Sequence, residues 1–255
     1  MSQGRKVIVL TGANSGLGYE TLKLLIQHST PYHFILAVRN IPATEKAVLA
    51  LTIPPQHKIE ISKLDLSSFT SIKSFAQGLL TRDSTLPLNI LILNAATIKS
   101  TFKHKNFESL DVKNLNDSKG YDGLLFYRHS KLVQMLFFNQ LNKLLEREEK
   151  EKVSLIAIEP GFMPQTDLSR ESAIYIKLLM KYILPLAPFA RTPEQGGTVI
   201  VYASTSPELE KQSGLYINKC CKVDKASEDS YKEDLQKTWW NISCDLTGLL
   251  EKKLL

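Results

Sequence analysis

Residues 6–10 (KVIVL) run directly into Thr11, Gly12, Ala13, Asn14, Ser15, Gly16, Leu17 and Gly18, and an apolar periodicity then continues through Leu22, Leu25 and Ile26. The β-branched run predicts a strand and the following spacing a helix, with three glycines in the turn between them. Strand, glycine loop and helix in that order present backbone N–H groups and a helix N-terminus to a phosphate. The spacing TGxxxGxG is a relative of the dinucleotide fingerprint. A glycine loop alone is weak evidence; its place directly after the first strand gives it weight.

The next stretches repeat the strand pattern. Residues 34–38 (FILAV) predict a second parallel strand, closed by Val38 and followed by Arg39. An acidic residue there would bond a ribose 2′-hydroxyl, whereas an arginine suits a 2′-phosphate, so NADP is expected over NAD. The plainer alternative is a surface arginine after a strand. Residues 58–64 (KIEISKL) alternate as a third strand and deliver Asp65, Leu66, Ser67 and Ser68. Asp65 caps the helix starting near Phe69, accepts from an adenine amino group, or does both. Residues 88–93 (LNILIL) predict a fourth, fully apolar strand, followed by Asn94, Ala95 and Ala96. Small residues let backbone lie close to a cofactor, though packing alone also selects them. Such βα units are the first half of an α/β doubly wound parallel sheet.

Tyr127 and Lys131 stand four apart in YRHSK and share one helix face. A free tyrosine titrates near ~10. A neighbouring ammonium favours the phenolate and is expected to bring that value towards neutrality, where the hydroxyl exchanges a proton with a carbonyl or alcohol. The tetrad is common, and its ordinary meaning is an amphipathic helix with an exposed lysine. Leu132, Met135, Leu136, Leu141, Leu144 and Leu145 continue the helix, and residues 146–152 are a charge run ending it. Residues 153–158 (VSLIAI) predict a strand, residues 193–205 a helix, residues 214–219 the last strand, and residues 237–249 a closing helix whose tryptophans pack.

TGANSGLG, Arg39 with Asn40, LDLSS, NAA, YRHSK and the Pro160, Gly161 turn, in this order, resemble the short-chain dehydrogenase/reductase family, in its retinol dehydrogenase and protochlorophyllide reductase-like branch. The resemblance implies a Rossmann-type sheet in a single domain over residues 1–255, with hydride transfer between NADP(H) and an alcohol or carbonyl. It places the cofactor on Gly12, Asn14, Ser15, Gly16, Leu17 and Gly18, with Arg39 holding NADP, Asp65 at the adenine, and Asn40 and Leu66 among the cofactor-binding residues. Asn94, Ala95, Ala96, Pro160, Gly161 and Thr166 would line it further along. Tyr127 would be the acid/base, and Lys131 would grip the nicotinamide ribose while lowering the Tyr127 pKa. Residues 172–191 stand where the family builds a substrate lid, and an apolar lid suggests an apolar substrate. A core helix or a segment resting on a membrane surface are the other readings of that stretch.

One interval departs from the family. Asn94 and Tyr127 are 33 positions apart. The family needs a helix, a strand and a loop there, and a βαβ crossover alone takes ~30 residues or more. The fifth strand and the helix with the catalytic Asn are expected to be missing, by an excision between Ala96 and Ser100. Residues 100–104 (STFKH) resemble the serine-bearing turn, which puts Thr101 at the catalytic serine's place with Ser100 beside it. In the family order 3-2-1-4-5-6-7 this leaves a sheet one central strand short of seven. The loss exposes strand four or moves strand six by one spacing, ~4.8 Å. A misplacement of about 1 Å already costs ~100-fold in rate. The alternative to an enzyme is therefore a catalytically degenerate cofactor-binding or interaction protein, arising as a splice or gene-model form.

Composition narrows the partners. Thirty-two basic and 26 acidic residues give a net charge of +6, but they intermingle rather than form a stripe, which argues against nucleic acid. Three cysteines, two of them adjacent at Cys220 and Cys221, fit a reducing compartment. No apolar run reaches the ~18 residues of a membrane span. A cytoplasmic protein with at most peripheral membrane contact is expected, with a small apolar carbonyl or alcohol as partner and no metal. The oligomeric state is not legible.

Overall fold

The opening run becomes β1 (Lys6–Thr11), and Val7, Ile8, Val9 and Leu10 each keep 3% or less of their surface in solvent. Such burial on both faces requires an unbroken apolar run rather than an alternating one. The computed structural model describes residues 4–82, 87–96, 123–147, 153–166 and 174–249. Around β1 lie β2 (Tyr32–Val38), buried along its whole length, then β3 (Lys58–Lys63) beyond it, and β4 (Leu88–Ile92) on the other side. The four strands are parallel in the order β3-β2-β1-β4, half of a Rossmann-like arrangement.

Helices cover this sheet. α1 (Gly16–Leu25) follows β1 and α2 (Ile41–Leu49) follows β2. α3 (Phe69–Leu80) packs Ile72, Phe75 and Leu79 on Val7, Val9, Ile35, Ala37 and Leu64. The spacing of those three α3 residues is that of one helical stripe. Its cap is Ser68, which accepts from the Ser71 N–H at 3.3 Å; Asp65 does not cap it and instead accepts through Oδ1 from both donors of Ser67. α2 carries no apolar stripe, only Thr44 being buried, and Asn40 starts it by accepting from the Ala43 N–H at 3.1 Å.

β4 lies within the expected run 88–93 but is not buried along its length. Among the described residues it is an edge strand of its sheet, and Leu88 and Leu91 are 45% and 50% exposed while only Ile92 is buried. Asn89 interrupts the run for a reason: its Oδ1 accepts from the Val7 N–H at 2.7 Å where the β1–β4 register shifts.

The chain divides into two compact units, the first of Met1–Ala96, Pro160–Leu168 and Leu184–Ser204, the second of the remainder. In the first, α6 (Pro193–Thr205) lies on α1 through two adjacent glycines. A Cβ on Gly197 would sit 3.2 Å from the Thr21 nitrogen, and one on Gly196 would sit 2.3 Å from Met163 Sδ.

In the second unit α4 (Gly123–Arg147) carries the tyrosine and packs against α7 (Glu233–Thr247). Leu136 is fully buried, Trp240 stacks on Phe137 at 4.9 Å, and Trp239 and Trp240 both pack as expected. α7 begins four residues earlier than its apolar pattern, in an acidic turn that suits a helix N-terminus. β5 (Ile156–Ile158) pairs in parallel with β6 (Leu215–Ile217), and a short β7 (Val223–Asp224), not expected from sequence, returns antiparallel. Asn218 holds that return, its Oδ1 accepting from the Cys220 and Lys222 N–H groups. Residues 97–122, with the expected excision and with Ser100 and Thr101, lie outside the described residues. Among the described residues no helix is long and apolar enough to cross a membrane.

Candidate active site

In the first unit the glycine loop is tied to the end of β4 by one hydroxyl. Thr11, 2% exposed, accepts from the Asn94 and Ala95 N–H groups at 2.9 Å each and donates to the Ile92 carbonyl at 3.3 Å. Asn94 answers with its amide, Nδ2 donating to the Thr11 carbonyl at 2.9 Å. The motif's threonine was not among the expected site residues, yet a hydroxyl ending a buried strand must find partners.

The turn itself needs glycine. Gly12 and Gly16 have φ of 70° and 53°, in the left-handed region. A Cβ on Gly18 would lie 2.3 Å from the Gly12 carbonyl oxygen and 2.5 Å from Asn94 Nδ2. Ser15 precedes α1 without a side-chain cap, so the N–H groups of Gly16, Leu17 and Gly18 have no intrahelical acceptor. Uncapped donors at a helix N-terminus, reached by a backbone that only glycine allows, fit a pyrophosphate.

At the ends of β2 and β3 the charges cluster. Arg39 is exposed, and its carbonyl accepts from Lys63 Nζ at 2.7 Å, which brings a second cation to the same place. Lys63 was not among the expected site residues. Asp65 is held below the usual carboxylate range by the Ser67 hydroxyl and N–H, with Arg39 and Lys63 adding to the effect. Both Ser67 bonds use Oδ1. Leu66 beside it is 49% exposed. Asn40 serves first as the α2 cap, and Ala95 and Ala96 follow Asn94 at the β4 end.

The loop after β5 belongs to the first unit from Pro160 on. Gly161 has φ 91°, Phe162 bridges to Ala190, and Thr166 turns back on Met163, its Oγ1 donating to that carbonyl at 3.0 Å.

In the second unit Tyr127 and Lys131 share a face of α4 as their spacing requires. Lys131 Nζ lies 5.6 Å from the Tyr127 ring centroid and donates to Gln134 Oε1 at 3.0 Å. Burial raises the Tyr127 hydroxyl above its ordinary value and lowers the Lys131 ammonium. The expected lowering of the tyrosine is not what the helix alone produces: the ammonium stands over the ring face, and loss of water penalises the phenolate.

Comparison with known proteins shows what the chain resembles. Residues 6–118 match the family described as short chain dehydrogenase. The human WW domain-containing oxidoreductase is 30% identical, covering 94% of this chain and 69% of that protein. Human retinol dehydrogenase 11 is 28% identical, covering 96% and 86%. The first of these alignments runs to 297 positions, more than the 255 residues here, so that relative has positions without a counterpart in this chain. Among solved structures, the closed form of serine dehydrogenase complexed with NADP+ superposes with TM-score 0.61 at 16% identity, over 87% of this chain and 97% of that one. Carbonyl reductase Sniffer of D. melanogaster gives 0.59 at 18%, over 87% and 99%.

Proposed function

The chain belongs to the short-chain dehydrogenase family, and from that membership we propose that it is an NADP-dependent oxidoreductase acting between an apolar alcohol and its carbonyl. The observation that carries this is the uncapped, glycine-built turn at α1 together with Arg39 and Lys63 at the strand ends. The α1 N–H groups take the pyrophosphate. Arg39 and Lys63 favour a 2′-phosphate over a bare ribose hydroxyl, and Asp65 Oδ2 remains an acceptor for an adenine amino group.

When bound, NADP(H) supplies or accepts the hydride. Tyr127 hands its hydroxyl proton to the carbonyl oxygen in reduction and takes one from the alcohol in oxidation, and Lys131 holds the nicotinamide ribose. Asn94, Pro160, Gly161 and Thr166 line the cofactor, Ser100 or Thr101 polarises the substrate oxygen, and the segment over residues 172–191 covers an apolar substrate.

NADPH and NADH binding by fluorescence, and NADPH consumption with a panel of apolar aldehydes, test this. Tighter binding of NADPH and a turnover that Tyr127→Phe lowers by roughly 100-fold or more, with binding kept, are expected. Well-folded protein that binds NADPH without turnover would instead support a degenerate, cofactor-binding member. Two observations favour that second reading. β4 has the sequence of an interior strand but the exposure of an edge, and the alignment with the relative is longer than this chain.

A further inference from the structure

A helix that packs on its own protein turns its apolar stripe inwards. α5 (Ile174–Leu178), and the π-helical turn Leu179–Ile183 that extends it, do the reverse. Ile174, Leu178 and Tyr182 recur at every fourth position, as do Tyr175, Leu179 and Ile183, which puts all six on neighbouring stripes of one face. Every one is exposed, from 37% at Leu179 to 70% at Ile174, while Ile176, on the other side, is buried at 6%. Single apolar residues on a surface are ordinary; six together on one helix face are not.

The charges beside them indicate the occupant. Lys177 and Lys181 follow one another along the border of that face, and Lys181 Nζ lies 5.2 Å from the Tyr182 ring centroid. From residue 174 to residue 183 the chain has Lys177 and Lys181 and no acidic residue. An apolar protein partner would strip water from both ammonium groups. A lipid interface accommodates each group at its own depth: aliphatic side chains enter the acyl boundary, while tyrosine hydroxyls and lysine ammoniums stay at the headgroups.

We propose that the α5 face and its π-helical extension form a docking surface for an anionic lipid bilayer. The net charge of +6 adds attraction at longer range. Each lysine at an anionic surface strengthens binding by roughly five-fold. This places on a bilayer the segment taken above as a substrate cover, and it holds whether or not the chain has the reaction assigned to it. A chain that reduces nothing would still bind the bilayer, and one that reduces aldehydes in solution would take an apolar substrate from the phase in which it dissolves.

Co-sedimentation of the full chain with phosphatidylcholine vesicles, with and without phosphatidylserine, is the test. Binding that requires phosphatidylserine and weakens with salt is expected. Lys177→Gln with Lys181→Gln should weaken it by roughly 25-fold, and Leu178→Asp with Ile183→Asp should abolish it. Circular dichroism establishes that each variant folds, and the lysine pair carries the test if the aspartate pair does not. Absence of wild-type binding to phosphatidylserine vesicles would overturn the proposal, as would binding that persists in both folded variants. Self-association that the aspartates abolish, without vesicle binding, would assign the face to a second copy of the chain.

Discussion

Glu60 shows how one side chain fastens three elements. It accepts from Arg82 Nη1 at 2.8 Å through Oε1 and from Nη2 at 2.7 Å through Oε2, and His33 Nε2 stands 3.2 Å from Oε2. These bonds join β2, β3 and the end of α3. The Arg82 pair holds the Glu60 carboxyl at about 2, below its ordinary 4.5, while burial lowers His33 and keeps it neutral. A carboxylate whose folded pKa is depressed contributes stability in full above its unfolded pKa and loses it as pH falls through the folded one. Its side chain is 34% exposed, so solvent screens the pair and the contribution is on the order of 1–2 kcal/mol. Glu60→Gln should be less stable than wild type by that amount at pH 7, and the gap should narrow between about pH 4.5 and pH 2. Urea midpoints across that range check it, and a gap independent of pH would refute it. Nothing local in the sequence marks this cluster, because its members stand 27 and 22 positions from Glu60. The same holds for Lys63, whose bond to Arg39 spans 24 positions, whereas Gly12 and Gly16 announced themselves because their positive φ is a local constraint.

At the scale of elements, legibility followed burial. β1 and β2 are covered on both faces, so their apolar runs identified them, and α3 and α4 carry stripes that face a core. α2 and β7 escaped notice because nearly all of their residues meet solvent, and what starts α2 is one capping asparagine rather than a pattern. β4 is the instructive case. Counted as a wholly apolar strand, it would gain from replacing Asn89 by leucine. In the structure that amide oxygen is the acceptor for the N–H of Val7, a residue only 3% exposed, at a break in the ladder. Asn89→Leu removes the acceptor and leaves a buried donor unpaired, at a cost of about 1–3 kcal/mol. Equilibrium unfolding in urea measures it. An unchanged midpoint would mean that water takes over the Val7 N–H and that the asparagine is incidental.

The whole molecule poses a question that neither unit answers alone. The glycine turn, Arg39, Lys63 and the Thr166 loop belong to one compact unit, and Tyr127 with Lys131 belongs to the other. The resemblance in sequence implied one reaction for the glycine turn, Arg39, Thr166, Tyr127 and Lys131, since motif order survives whether or not the intervening segment is present. Hydride transfer demands more than order: the tyrosine must reach the carbonyl while the cofactor is held. Ligand binding reports on this through linkage, because NADPH at 100 times its Kd stabilises the structure that binds it by about 2.7 kcal/mol. Hydrogen exchange with NADPH should therefore slow at the β1–α1 turn, at the ends of β2 and β4, and also along α4 around Tyr127 if Lys131 grips the ribose. Lys131→Ala should remove the α4 protection while leaving that at Gly16, Leu17 and Gly18. Protection confined to the first unit, unaffected by Lys131→Ala, would separate the cofactor site from the acid/base and leave a dinucleotide-binding protein without the reaction of its family.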